Sequence, residues 1–230
     1  MVEFSWKRYV MAGIITLLIF ALGLSLGLII EGQRTYYVES MYEEHEVELS
    51  SSQLQYKYLL GLKEDLPCSV LYSSLEKNLV ELEKTRVKLV NYEKDSKIND
   101  EKFELLKRKY TLEQINYWML ANEVKDVCGR KGVSILYFYS DDKKCPMCEK
   151  QEFVLTYLKK YFGEKLLNFP IDEQLNEPMV EILKQQYNIT QYPTLIIEDE
   201  KFPAFTTKEK IVEKICSYYG DIEECNDSDN

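Results

Sequence analysis

Two cysteines three positions apart, Cys145 and Cys148 in the stretch DDKKCPMCEK, are the residues best placed to do chemistry. Cys145-Pro-Met-Cys148 sets two thiols one helical turn apart, about 5–6 Å. A disulfide needs Cα atoms roughly 4.4–6.8 Å apart. Such a pair serves as a redox couple, as half of a metal site or as a structural bridge. A bridge across so small a ring gains little chain entropy. A zinc site takes about four ligands as a rule. The single histidine, His45, stands far up the chain, and there is no second Cys-x-x-Cys. No metal and no cofactor is expected, and the redox couple is the leading reading.

The flanking elements must hold the pair in place. VSILYFYS, from Val133, is β-branched and aromatic and predicts a buried strand. Pro146 to Phe162 predicts a helix with Phe153, Val154, Tyr157, Leu158 and Tyr161 apolar. Cys145 is then expected at the N-cap, with Pro146 as the first helical residue, where a missing N–H costs nothing. The helix N-terminus favours a thiolate; Lys143 and Lys144 add to that, and Asp141 and Asp142 oppose it. Cys145 is the candidate nucleophile. Cys148, one turn inside and expected to be less exposed, is the resolving thiol. Downstream, LLNFPI predicts a second strand, Glu177 to Tyr187 a helix, Thr194 to Asp199 a third strand and KFPAF a short edge strand. Thr207 to Tyr219 predicts a closing helix with Ile211, Val212 and Ile215 inward. The order is β-α-β-α-β-β-α, with the first strand pair parallel and the last hairpin an antiparallel edge.

A second motif, Gln191-Tyr-Pro-Thr194, precedes the third strand. With strand–CxxC–helix and this spacing, residues 130–219 resemble the thioredoxin-fold thiol–disulfide oxidoreductases. The Cys-Pro-x-Cys form is most similar to the Dsb-type extracytoplasmic members. The resemblance implies a cis-proline at Pro193 facing the cysteine pair, and backbone groups of Tyr192 offered to an extended substrate, with Thr194 completing that site. It also implies protein thiols and disulfides as substrates, and a membrane redox partner that recharges the pair. The sequence departs from the family pattern twice. Lys144 stands where a Trp precedes the first cysteine, and Tyr137 and Tyr139 occupy the strand region where thioredoxin keeps an Asp. Glu149 is a candidate to assist Cys148, beside the plainer reading of a solvated surface residue.

The 230-residue chain opens with an uncharged run, Tyr9 to Ile30. It is long enough, at roughly 20 residues, to cross a bilayer as a helix. Lys7 and Arg8 precede it, and Glu31 and Arg34 nearly cancel after it, so the positive-inside rule leaves the remainder outside. The expectation is a single-pass signal anchor at the cell membrane with the C-terminal domain extracytoplasmic; a cleaved signal segment is the alternative. Six cysteines, an even count, suit an oxidising compartment. Net charge is −10, which argues against a nucleic-acid partner.

Residues 35 to about 127 have helical composition. Breaks at GLKEDLPCS and NYEKDSKIND predict helices near 35–62, 67–93 and 99–127. Leu71, Leu75, Leu79, Leu82, Arg86 and Leu89 form one stripe. Phe103, Leu106, Tyr110, Tyr117, Leu120, Val124 and Val127 form another, interrupted by Glu113. They predict a coiled-coil-like hairpin that serves as a spacer or in a homodimer; Arg86 and Glu113 either face each other across it or lie at a wet edge. Cys68 and Cys128 lie equally far, about 30 residues, from the turn and reach the same height at about 1.5 Å per residue, so they are expected to bond. Cys216 and Cys225 remain as the third pair; a relay role for one of these pairs is the competing idea. The sequons at Asn188 and Asn226 permit glycosylation outside a membrane.

The resulting organisation is a cytoplasmic N-terminus (1–8), a transmembrane anchor (9–30), an all-α helical region (31–128), an α/β thioredoxin-like domain (129–220) and an acidic tail (221–230). The expected function is a membrane-anchored oxidoreductase. The alternative is a redox-inactive thioredoxin-fold scaffold whose helical region mediates assembly.

Overall fold

The computed structural model describes residues 10–11, 13–25, 67–93, 100–141, 143–220 and 222–226. The chain divides into two compact units, Met1–Lys63 and Glu64–Asn230. In the first unit, residues 10–11 and 13–25 are helical and exposed. Among the described residues no helix is long and apolar enough to cross a membrane. The remainder of the expected 9–30 span, the expected 35–62 helix and His45 lie outside the described residues.

The second unit begins with an antiparallel-length pair of helices, α1 (Cys68–Glu93) and α2 (Asp100–Cys128), followed by β1 (Val133–Tyr139) and α3 (Cys148–Phe162). A 3-10 turn (Gly163–Lys165) leads into β2 (Leu166–Asp172), α4 (Pro178–Gln186), β3 (Thr194–Ile197), β4 (Glu200–Pro203), α5 (Lys208–Tyr219) and a terminal turn of helix, α6 (Glu223–Asn226). The sheet order is β2-β1-β3-β4. β1 and β2 are parallel, Val133 opposite Leu166 through Tyr139 opposite Asp172. β1–β3 and β3–β4 are antiparallel. Strand order, strand directions and the helical crossovers together make a thioredoxin-like fold.

β1 lies between β2 and β3, and every residue from Val133 to Phe138 is buried, which suits its run of β-branched and aromatic side chains. Its odd-numbered residues Val133, Ile135 and Tyr137 share one core cluster with Leu155, Leu158 and Phe162 of α3 and with Ile211 and Ile215 of α5. The other face meets α2. Tyr117 packs on Phe169 of β2 at 6.0 Å between ring centroids, and Ser134 donates to Asn122 at 3.3 Å. Arg108 of α2 also pairs with Glu177 at the start of α4, 2.9 Å apart. Local signals set the ends. Pro178 opens α4, Thr207 caps α5 by accepting from the Lys210 N–H, and α3 stops at Gly163 with φ 57°.

The hairpin seam differs from the expected stripes. Leu71, Leu75 and Leu82 of α1 and Tyr117, Leu120 and Val124 of α2 are buried as expected, but Leu79 and Val127 are exposed. Asn78 and Thr85 take the places read for Leu79 and Arg86. Asn116 donates to Asn78 across the seam at 2.6 Å, and Thr85 is bonded to Glu113. Arg86 turns outward to Glu83 at 2.9 Å, so it does not face Glu113. The reason is spacing: Leu71, Leu75, Asn78, Leu82, Thr85 and Leu89 alternate steps of four and three along one helix face, whereas Leu79 and Arg86 fall one residue off it.

Candidate active site

β1 delivers the chain to the site. After Tyr139 the loop folds back on Asp141, whose carbonyl accepts from the N–H groups of Lys144 (3.1 Å) and Cys145 (2.8 Å). The Asp141 carboxylate also accepts from the Lys144 N–H at 3.0 Å. Asp142 lies outside the described residues. The Cys148 N–H then bonds to the Cys145 carbonyl at 3.1 Å, and the α-helical pattern begins with the Gln151 N–H on the Met147 carbonyl at 3.0 Å. The N-cap is therefore Met147, not Cys145, and Pro146 lies in the turn before the helix. The Asp141 turn consumes the N–H of Cys145 and delays the helix by two residues.

Cys145 and Cys148 are bonded to each other, with Cα atoms 5.4 Å apart. Cys145 is 1 % exposed and Cys148 6 %. The expected ranking is reversed: the first cysteine is the more deeply buried one in this disulfide form. Both belong to the core cluster that contains Tyr137, against which Tyr139 and Tyr192 pack. Around them Pro146 and Lys144 are exposed and Met147 is 36 % exposed, so the disulfide lies just beneath a rim.

The strand beneath the pair carries tyrosines. Tyr137 donates to the Cys148 carbonyl at 2.8 Å, and its ring lies 5.5 Å from that of Tyr139. Burial, with smaller repulsion from nearby carboxylates, holds both hydroxyls well above the usual phenol range. Neither supplies a base near neutral pH. Glu149 is on the exposed side of α3. Gln151 is fully buried and clasps the loop before α5, donating to the Thr206 carbonyl (3.2 Å) and accepting from the Thr206 N–H (2.7 Å).

The Tyr192–Pro193 peptide is cis. Pro193 and Thr194 are buried, and Thr194 donates to the Gln191 carbonyl at 2.7 Å. Tyr192 is half-buried against the cysteine cluster. The structure thus brings Cys145, Cys148 and Tyr192 into one cluster. The remaining cysteines sit elsewhere. Cys68 bonds to Cys128 across the open end of the hairpin, and Cys216 bonds to Cys225, with Cα atoms 5.7 Å apart in each pair. Cys225 lies in α6, which is further held where Lys165 meets Glu224 at 2.5 Å and Tyr161 donates to the Glu224 carbonyl at 3.1 Å.

Sequence reasoning missed Glu173. It follows β2, and its carboxylate accepts from Ser140, Lys144, Lys184 and Tyr192. A usable sign existed. Parallel strands end on the same side of a sheet, and sites in α/β sheets gather at those carboxyl ends; the residue after β2 was a candidate on that ground.

Residues 105–208 match the family model of HyaE, described as a hydrogenase-1 expression protein. The match runs from inside α2 to the start of α5 and falls short of half the chain. No curated protein matches. Among solved structures the chain is similar to a malarial protein at 23% identity, covering 38% of this chain and 97% of that one with a TM-score of 0.33. It is similar to thioredoxin-2, a component of malaria parasite protein secretion machinery, at 23% identity, 37% and 82% coverage and a TM-score of 0.33. It is also similar to the germline-specific thioredoxin Deadhead of Drosophila melanogaster, at 18% identity, 45% and 92% coverage and a TM-score of 0.32.

Proposed function

We propose that the chain is a thiol–disulfide oxidoreductase acting on protein thiols and disulfides through Cys145 and Cys148. One observation carries the reading: a bonded Cys-x-x-Cys pair at the β1–α3 junction, just beneath an exposed rim, with the Tyr192 segment packed against it. In the reducing direction the Cys145 thiolate attacks one sulfur of a substrate disulfide. That S–S bond breaks, the first substrate thiolate leaves and takes a proton from water, and a mixed disulfide forms. The Cys148 thiolate then attacks Cys145 Sγ and releases the second substrate thiolate. The substrate gains two electrons and the Cys145–Cys148 bond closes. The reverse sequence oxidises a dithiol. Tyr192, Pro193 and Thr194 line the substrate side, with the backbone of Tyr192 meeting an extended segment.

The proposal extends to place. The apolar run 9–30 with Lys7 and Arg8 ahead of it supports a single-pass anchor with the C-terminal part outside. The pairing of all six cysteines supports an oxidising compartment. A membrane redox partner would recharge the pair, and the segment 31–128 would serve as a spacer or join two copies.

The test is turnover of a protein disulfide by the full chain and by Cys145→Ser. The variant is expected to lose at least about a hundredfold in exchange rate, because Cys148 alone cannot complete the cycle. Unchanged turnover would sink the proposal. A second reading, a redox-silent scaffold, is favoured by the 1 % exposure of Cys145 and by the description of the matching family as an expression protein. A pair that stays oxidised below about −300 mV in glutathione buffers would support that reading.

A further inference from the structure

Glu173 is the first residue past β2, and its N–H still donates to the Tyr139 carbonyl of β1 at 3.0 Å. Its side chain is only 9 % exposed. The carboxylate accepts from Ser140 Oγ (2.8 Å), Lys144 Nζ (3.0 Å), Tyr192 OH (3.2 Å) and Lys184 Nζ of α4 (3.4 Å). Two of these donors are chain neighbours of the site. Lys144 immediately precedes Cys145, and Tyr192 immediately precedes Pro193. One side chain therefore ties together the two segments that flank the disulfide. Gln174 adds a second brace by donating to the Asp141 carboxylate at 2.6 Å.

The charge of Glu173 has a consequence for the thiol. Burial works against its ionised form, but the bonds from Lys144 and Ser140 outweigh that and hold the carboxyl below the usual range. It is an anion at neutral pH. It engages the one ammonium adjacent in sequence to Cys145, and that engagement in turn holds the Lys144 ammonium above its ordinary range. A cation near a cysteine favours the thiolate and an anion disfavours it. The other charged groups around the site are Asp141 and Lys143 in the loop before Cys145, and Glu149, Lys150 and Glu152 on α3, of which Glu152 acts on Tyr137 and Tyr139. Beyond them lie Glu177, paired with Arg108, Glu181, which pairs with Lys184 at 2.8 Å, and Asp172, 3.8 Å from Lys107 of α2.

We propose that Glu173 is a positioning residue of the thiol–disulfide site. It fixes the Cys145 and Pro193 segments relative to one another through Lys144 and Tyr192, and it withholds the Lys144 charge from the Cys145 thiolate. The inference rests on the oxidoreductase reading above. Removing the carboxylate charge frees Lys144 and deletes a nearby anion, so the reduced pair is stabilised and the disulfide becomes the stronger oxidant.

The experiment uses the full chain as wild type, Glu173→Gln, Glu173→Asp, Lys144→Met and the double variant Glu173→Gln/Lys144→Met. It reads the pH profile of Cys145 alkylation after mild reduction, and the equilibrium of the pair with glutathione. Glu173→Gln is expected to move the alkylation midpoint down by about half a unit to one unit. It is expected to shift the glutathione equilibrium toward the dithiol by about twofold to tenfold, the lower figure applying where the wild-type thiol pKa lies above the assay pH. Glu173→Asp should restore part of the wild-type profile. Lys144→Met changes a side chain that is 60 % exposed, so it keeps the test open even where the glutamate variants fold poorly. It leaves Glu173 with Lys184 as its remaining cation and should move the midpoint up. In the double variant the downward shift should shrink by at least about half if Lys144 is the principal intermediary. Profiles and equilibria superimposable on wild type, with only a lower melting temperature, would overturn the positioning role alone. A wild-type pair that does not exchange with glutathione at any ratio would instead overturn the oxidoreductase reading and this role with it.

Discussion

The α1–α2 hairpin and the corner that holds Cys145 each combine a disulfide with a carboxylate withdrawn from water, and the two combinations work in opposite senses. In the hairpin, Cys68–Cys128 spans 60 residues. Its carboxylate, Glu113, has a bond to Thr85, a distant Lys109 at 3.8 Å and one buried oxygen with no partner. Burial dominates, and the carboxyl is pushed above its usual range. In the corner, Cys145–Cys148 spans three residues, and Glu173 has four donors. Four donors hold the Glu173 carboxyl down against the cost of burial, whereas Glu113, with one bonded oxygen, is governed by burial. In the hairpin the covalent bond stabilises and the carboxylate costs stability. In the corner the carboxylate organises, and the disulfide closes too small a ring to stabilise much.

The largest expected effect tests the covalent half of this contrast. Chain entropy gives a crosslink over about 60 residues up to about 4 kcal/mol, and one over three residues at most about 2 kcal/mol. Replacing Cys68 and Cys128 by serine should therefore lower the urea midpoint of the full chain about twice as far as replacing Cys145 and Cys148. The Cys216–Cys225 bridge, with a separation of nine, should fall between them, near about 2–3 kcal/mol. If the serine pair at 145 and 148 proved the most destabilising, the corner disulfide would be structural and the contrast would break.

Much of this was legible in the residues. VSILYFYS read as a buried strand, Thr207 to Tyr219 as the last helix, and the equal distances of Cys68 and Cys128 from the hairpin turn placed them at one height. Other parts required the third dimension. A seam follows spacing before residue type: steps of four and three from Leu71 fall on Asn78 and Thr85, so these polar residues take the seam and leave Leu79 and Arg86 outside it. Cys145 looked like an exposed helix cap because nothing in the sequence announced that Asp141 would capture its N–H and turn it inward. Glu173 sits in an ordinary acidic turn, Asp172-Glu-Gln174. Its role exists only because β1 and β2 run parallel and bring Ser140, Lys144 and Glu173 to the same edge.

The next effect in size concerns Glu173. Its folded pKa is lowered, so its contribution to stability is present above the unfolded value of about 4.3 and is lost as pH falls through the folded value. Glu173→Gln should cost about 1–2 kcal/mol at pH 7, toward the lower end because the Lys144 partner is exposed and screened. The measurement is chemical unfolding from pH 7 down to pH 3. The gap between wild type and variant should close on the acid side; a gap that is constant with pH would mean that shape, not charge, carries the effect.

Glu113 should give the smallest change and the opposite sign. Its folded pKa is raised, so its favourable contribution is present below the unfolded value and disappears as pH rises through the folded one. At pH 7 the hairpin then holds a half-buried anion with too few donors. Glu113→Gln keeps the shape and an acceptor for Thr85 but removes the charge, and should stabilise the chain by about 0.5–1 kcal/mol at pH 7. The gain stays small because the new amide leaves a polar group unpaired in the same place. It should vanish near pH 3, well below the unfolded value of about 4.3, where the wild-type carboxyl is protonated in both states. Loss of stability at pH 7 would show that the charge is supported by groups across the seam, and the opposition between the two carboxylates would fail.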